Sequence, residues 1–205
     1  MNRPSNTANL VRTRLLLVVV LVSLGGGPGH AAAPERPSSA RAAGEGGDLI
    51  GSTPPAWDVH EWIGSPPLTL AGLRGRVVLV RWFTSPDCPY CHASAPALNQ
   101  FHREYARRGL VVVGMYHHKS DEPLTLNAVR GWVRDYGFNF PVGVDRDWRT
   151  LRRWWLTGPK RGFTSVSFLI DRRGVIRQIH PGGTLGLDTA DFRSMQSKIE
   201  ELLAE

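Results

Sequence analysis

The residues of this 205-residue sequence whose type and spacing most clearly permit chemistry are Cys88 and Cys91. They are the only two cysteines in the chain, and two residues separate them. An apolar run at 77–83 precedes them, and a run with helical spacing follows at 92–108. The pair is therefore predicted to lie where a strand passes into a helix.

A thiol at the start of a helix faces backbone N–H groups that have no partner within the helix. These groups stabilise the thiolate, so the pKa of such a thiol falls below about 8.5. Cys88, nearer the loop, is predicted to be the attacking thiolate, and Cys91, one turn on, to resolve the mixed disulfide. Pro89 and Tyr90, which lie between them, are assigned to redox tuning and substrate contact. Dithiol–disulfide exchange is the predicted chemistry.

Three other interpretations of the pair stay open. A metal site or metal chaperone would use both cysteines with His117 or His118, since zinc sites need further ligands. A purely structural disulfide is a second alternative, although so short a loop restrains little chain entropy. A thiol peroxidase is the third: Ser85 lies three residues before Cys88, but Arg81 stands where that class has a proline.

The N-terminal segment reads as an export signal, because basic residues precede an apolar run at 15–24 and small residues follow at 31–33. The apolar run is short of the roughly 20 residues that span a bilayer, although an uncleaved membrane tether is an alternative. We expect a signal peptide at 1–32, a flexible linker at 33–48 and one domain at 49–205. Export would place the cysteines where disulfides persist, in a periplasmic or other extracytoplasmic compartment.

The charge of the chain does not indicate nucleic-acid binding. The formal net charge is +7, and three of the arginines lie in the predicted signal. Without them, 22 basic residues face 18 acidic ones, a net charge of +4 with no basic block.

The remaining pattern predicts one α/β sheet covered by helices on both faces. Arg81 interrupts the first long strand and is expected towards its exit. A cluster of tryptophans and arginines at 148–155 is either a partner-binding surface or the edge of the core. The predicted strands are 68–70, 77–83, 110–115, 140–144, 165–171 and 175–180, and the predicted helices are 93–108, 126–136, 147–155 and 188–203.

Several segments together resemble the thioredoxin-like fold. They are Val-Val-Leu-Val at 77–80, the Cys-Pro-Tyr-Cys loop, Pro96 in the following helix, and Phe-Leu-Ile-Asp at 168–171 before Gly174. Within that fold the chain is most similar to the exported TlpA/ResA/DipZ-type thiol–disulfide oxidoreductases. The resemblance implies a central mixed sheet, protein thiols or disulfides as substrates, no bound cofactor and a membrane redox partner.

The sequence departs from that family at two positions. The family carries a cis-proline before the strand at 168–171, where the loop shapes the substrate groove; here the position is Ser165, preceded by Thr164. Both residues are expected to contact substrate, and their peptide bond is predicted to be trans, because a cis bond before a non-proline residue costs about 2.5–4 kcal/mol. ResA-like members also have a glutamate three residues after the second cysteine, where this chain has Ser94.

Overall fold

A six-stranded mixed sheet organises the residues that the computed structural model describes, 45–158 and 161–205. Its order in space is β1-β4-β3-β2-β5-β6. Strands β2, β3 and β4 are parallel, and the other pairings are antiparallel. In chain order the strands are β1 (Glu61–Ile63), β2 (Val77–Phe83), β3 (Leu110–Tyr116), β4 (Val142–Val144), β5 (Ser167–Ile170) and β6 (Ile176–His180).

Three longer helices and one short helical segment pack on this sheet. They are α1 (Pro89–Tyr105), α2 (Leu126–Asp135), α3 (Arg149–Leu151), which continues as a π-helical turn at Arg152–Leu156, and α4 (Ala190–Ala204). The hydroxyls of Thr125 and Thr189 cap α2 and α4 by accepting a backbone N–H three residues on. The chain leaves α1 through a tighter turn and then Gly109, whose φ of 116° a side chain would disfavour.

Strand β2 separates two apolar cores, because successive side chains of a strand point to opposite faces. All seven of its residues are buried, which is typical of a strand covered on both faces. Val77, Leu79 and Phe83 pack with residues of α1, α2 and α4. On the other face, Val78, Val80 and Trp82 pack with Trp57, Trp154 and Trp155.

The predicted order of strands and helices is confirmed, with one strand misplaced. Residues 68–70 form no strand; they lead into a 3-10 turn at Ala71–Leu73, where Thr69 Oγ1 accepts a hydrogen bond from Gly72 N. The strand of this region is β1, whose residues are all partly exposed. It lacks the alternation that would have revealed it.

The predicted signal peptide at 1–32 and residues 33–44 of the linker lie outside the described residues. Within the described ranges, no helix is long and apolar enough to cross a membrane.

Candidate active site

The two cysteines lie at the junction between β2 and α1, as predicted. Pro89 occupies the first turn of α1, where its missing N–H costs nothing, so the helix begins earlier than residue 93. Cys88 is the N-cap, and its sulfur accepts a hydrogen bond from Cys91 N at 3.2 Å. The loop before it is held by Tyr136, whose hydroxyl donates to Ser85 O at 2.8 Å.

Cys88 and Cys91 form a disulfide, with their Cα atoms 5.3 Å apart. Cys91 is 3% exposed and packs in the helix-side core. Cys88 is only partly buried, and Pro89 is exposed. An incoming reactant therefore reaches the sulfur of Cys88 before that of Cys91.

The surface formed by Tyr90 and residues 163–165 combines aromatic and polar groups. The ring of Tyr90 is 44% exposed and meets Phe163 edge-on at 5.5 Å between centroids. Thr164 is partly buried, and Ser165 is 5% exposed. The Oγ atom of Ser165 accepts a hydrogen bond from Gly183 N at 3.2 Å.

The described residues contain no cis peptide bond, so the Thr164–Ser165 bond is trans as predicted. A trans bond there points the backbone groups of Thr164 differently from a cis one. A proline at position 165 could not accept the hydrogen bond that Ser165 Oγ accepts from Gly183 N.

The two histidines that follow β3, His117 and His118, each make hydrogen bonds away from the cysteines. His117 is 1% exposed; its Nδ1 bonds to Phe83 O, and its ring packs against Trp148. Burial lowers the pKa of His117 to about 3. His118 is engaged on both ring nitrogens, by Tyr116 and by Glu122 O. Among residues 45–158 and 161–205, no group of three or more His, Cys, Asp or Glu is arranged to hold a metal ion.

The tryptophans at 148–155 belong mainly to the core, which agrees with the second of the two interpretations offered for this cluster. Trp154 and Trp155 are buried against Phe168 on the sheet face opposite α1. Only Trp148 remains partly exposed, and Lys119 lies over its ring.

Arg81 lies in the second half of β2, as expected. Its burial was not predicted: the residue is 1% exposed. By strand alternation it points to the same face as Leu79 and Phe83, beneath α1. Its guanidinium is satisfied there by hydroxyl, carbonyl and imidazole groups. The sequence signal was a lone arginine inside an otherwise apolar strand.

A mixed sheet with Cys88 and Cys91 at the start of the first long helix defines a thioredoxin-like protein. The model of the AhpC/TSA family matches residues 50–179. The chain belongs to the AhpC/TSA family.

Individual relatives agree with this assignment. Protein DipZ of Mycobacterium tuberculosis (strain CDC 1551 / Oshkosh) is 26% identical over 160 residues, which cover 76% of this chain and 21% of DipZ. The chain therefore spans about a fifth of the length of that relative. Thiol-disulfide oxidoreductase ResA of Bacillus anthracis is 29% identical over 131 residues, covering 63% of this chain and 69% of ResA.

A crystal structure of a thioredoxin-like superfamily protein superposes with a TM-score of 0.61 at 27% identity, covering 75% of this chain and 97% of the other. The predicted thioredoxin-like fold is thereby confirmed, as is the resemblance to the TlpA/ResA/DipZ branch.

Proposed function

We propose that this protein is an exported thiol–disulfide oxidoreductase that exchanges disulfides with protein substrates through Cys88 and Cys91. One observation carries the proposal. The partly exposed sulfur of Cys88 caps a 17-residue helix and accepts the Cys91 N–H, while its disulfide partner lies buried one turn on. This geometry lowers the pKa of an attacking thiol and holds a resolving thiol within reach.

The exchange proceeds in two displacements. The Cys88 thiolate attacks one sulfur of a substrate disulfide; a mixed disulfide forms, and the other substrate sulfur leaves as a thiolate. The Cys91 thiol then loses its proton and attacks Cys88, which releases the second substrate thiolate. Two electrons pass from the dithiol to the substrate, and the reverse sequence oxidises a substrate dithiol.

Four residues are assigned to substrate contact: Pro89, Tyr90, Thr164 and Ser165. Tyr90 presents an exposed ring beside the disulfide, and aromatic side chains contribute strongly to protein interfaces. The trans peptide at Thr164 and Ser165 offers backbone donors and acceptors to an extended substrate segment. No cofactor is part of the proposal, because the sulfur atoms themselves carry the electrons.

The family match by itself does not choose between disulfide exchange and peroxide reduction. The relative named ResA carries the name of a thiol–disulfide oxidoreductase, and a two-residue spacing suits an internal disulfide. In addition, thiol peroxidases carry a proline where this chain has Arg81, which lies buried under α1 with its own set of hydrogen bonds. The site therefore supports disulfide exchange better than peroxide reduction.

Export and a membrane redox partner complete the proposal. The sequence at 1–32 has the composition of a signal peptide, and the exchange needs a partner that resets the dithiol after each turnover. N-terminal sequencing of the native protein should find a start near residue 32; a start that retains the apolar run at 15–24 would show a tether instead.

Trapping tests the function directly. In Cys91→Ser, the mixed disulfide on Cys88 has no resolving thiol, so substrates should remain covalently attached and be released by a reductant. Cys88→Ser is the matched control, because it keeps one thiol but removes the attacking one. Equal recovery of disulfide-linked proteins from both variants would contradict the proposal.

A further inference from the structure

A row of polar side chains crosses three neighbouring strands beneath the start of α1. Arg81 on β2 is the register partner of Ser167 on β5, and Ser167 is the partner of His180 on β6. Arg81 Nη1 donates to Ser167 Oγ at 3.1 Å and bonds to His180 Nδ1 at 3.3 Å. All three residues are buried.

The other end of the guanidinium reaches the active-site helix. Arg81 Nη2 donates to Ser94 Oγ at 3.1 Å and to Gly183 O at 2.7 Å. Ser94 lies one turn beyond Cys91 in α1 and is 1% exposed. A buried cation is thus connected to the helix that carries both cysteines.

Direct partners of Arg81 in these four bonds are all uncharged. Burial lowers the pKa of Arg81 to about 9, so the guanidinium is still protonated at neutral pH. Because arginine can only donate, His180 Nδ1 must accept, which places the proton of His180 on Nε2, facing Asp191 at 3.2 Å. Burial lowers the pKa of His180, and the charge of Arg81 acts in the same direction, whereas the hydrogen bond that Nε2–H donates to Asp191 opposes both.

A continuous hydrogen-bond chain leads from Arg81 to the sulfur of Cys88. Arg81 donates to Ser94 Oγ, and the Ser94 hydroxyl donates to Tyr90 O at 2.7 Å. The carbonyl of Tyr90 belongs to the same peptide unit as the N–H of Cys91, which donates to Cys88 Sγ at 3.2 Å. A hydrogen bond to the oxygen of an amide polarises its N–H, so successive bonds strengthen one another.

We propose that Arg81 is a positioning residue that stabilises the Cys88 thiolate through Ser94 and the Tyr90–Cys91 peptide unit. The inference rests on the proposed exchange function and adds a determinant of its redox balance. The reduced state is the one that carries the thiolate, so Arg81 favours the dithiol over the disulfide. Ser94 acts as the link that delivers the polarisation.

Other charged groups around the pair do not substitute for this chain. Asp87 and His92 flank it on the exposed side. Asp191 on α4 is separated from Arg81 by the His180 ring. None of these three takes part in the bonds between Arg81 and the Tyr90 carbonyl, so their contribution should be the same in each variant below.

Two serine variants distinguish the hydrogen bonds that lead from Arg81 to Cys88 from the other hydrogen bonds of Arg81. Ser94→Ala removes the link, whereas Ser167→Ala removes another hydroxyl partner of Arg81 on the side away from α1. The apparent pKa of Cys88 is read from the alkylation rate of the reduced full-length protein against pH, with peptide mapping of Cys88. We expect Ser94→Ala to raise that pKa by about half a unit and Arg81→Met by about one unit, with Ser167→Ala unchanged.

The redox equilibrium with glutathione at pH 8 gives a second readout. Ser94→Ala should shift it towards the disulfide by about threefold, and Ser167→Ala should leave it in place. Identical pKa values and equilibria in the two serine variants would overturn the inference, even if Arg81→Met fails to fold. If trapping through Cys88 fails in Cys91→Ser while the pKa shift appears in the Arg81 and Ser94 variants, the proposed function is wrong but the role of Arg81 stands.

Discussion

At the scale of single residues, Cys88 and Cys91 differ in exposure and in hydrogen bonding. Cys88 is partly exposed and its sulfur accepts a backbone N–H, whereas Cys91 is 3% exposed within the core. The first environment favours a thiolate that reacts with large partners, and the second favours an internal resolving thiol. The two chemically identical side chains are thereby given different proposed roles.

Ser165→Pro tests the loop that faces the disulfide. Proline restores the residue that the family carries there and removes the polar contact between Ser165 Oγ and Gly183 N. We expect reduction of insulin disulfides to rise about two- to fivefold, or roughly 0.4–1 kcal/mol in activation free energy. Metal retained after purification under reducing conditions should fall, because proline removes both the hydroxyl and the backbone N–H that Ser165 brings to this loop.

The control for that variant is Ser165→Ala, which removes the hydroxyl but keeps the backbone N–H. If both variants change the rate equally, the hydroxyl is responsible. If Ser165→Pro folds normally and neither exchange nor metal retention changes, the position has no part in substrate contact.

At the scale of elements, the junction between β2 and α1 sets the site. Strand β2 is buried along its whole length, so its end is fixed with respect to the sheet. Helix α1 then begins at Pro89, whose φ is already suited to a helix. A rigid strand and a pre-set first turn hold the sulfur of Cys88 at the helix N-terminus.

Cys88 also caps α1, and this role can be measured without the disulfide. In a Cys91→Ala background, Cys88→Ser retains a side-chain acceptor for the first-turn N–H groups, whereas Cys88→Ala does not. The free energy of unfolding in urea should be about 1 kcal/mol higher for the serine variant. Equal stabilities would show that the cap contributes nothing to the helix.

The sequence predicted most elements because their hydrophobic patterns are strong. Strand β2 is apolar except at Arg81 and β3 carries no charged residue, and α2 and α4 repeat apolar residues with helical spacing. Strand β1 was missed, since an edge strand of three partly exposed residues carries no such pattern. The position of the cysteines could be predicted because local sequence determines a strand-to-helix junction.

The surroundings of the cysteines could not be predicted in the same way. Arg81, Ser167 and His180 are distant in sequence and meet only through sheet register. An arginine in a strand normally ends in solvent, because burying a charge is costly without hydrogen bonds. Only the fold shows that four such bonds are available under α1.

At the scale of the whole domain, the sheet separates the core that contains the cysteines from a second core that only stabilises the fold. The dithiol and the long helices α1, α2 and α4 share one core, and the other face is filled by tryptophans. Trp82 and Trp155 are fully buried there, and side chains of this size bury about 150–250 Å² each. This second core stabilises the strand from which the site extends.

Acid should destabilise the domain through His117. Burial lowers the pKa of His117 to about 3 in the folded protein, while an unfolded histidine titrates near about 6.5. The unfolded state therefore takes up the proton first as the pH falls below about 6.5, and stability is lost from there downwards. The loss due to this residue should reach about 2 kcal/mol at pH 5.

His117→Asn provides the comparison, because the asparagine amide can still donate to Phe83 O. Urea unfolding at pH 7 and pH 5 should show a smaller loss in the variant than in the wild type. The same difference between the two pH values in both proteins would mean that His117 is not held neutral by burial.

Stoichiometric exchange tests the central claim most directly. Reduced protein is mixed with an equimolar protein disulfide such as insulin, and the thiols on each partner are counted with time. The account predicts one substrate disulfide reduced for each Cys88–Cys91 disulfide formed, and no reaction with Cys88→Ser. Failure of the wild type to reduce the protein disulfide, combined with oxidation of its dithiol by hydrogen peroxide, would contradict the account.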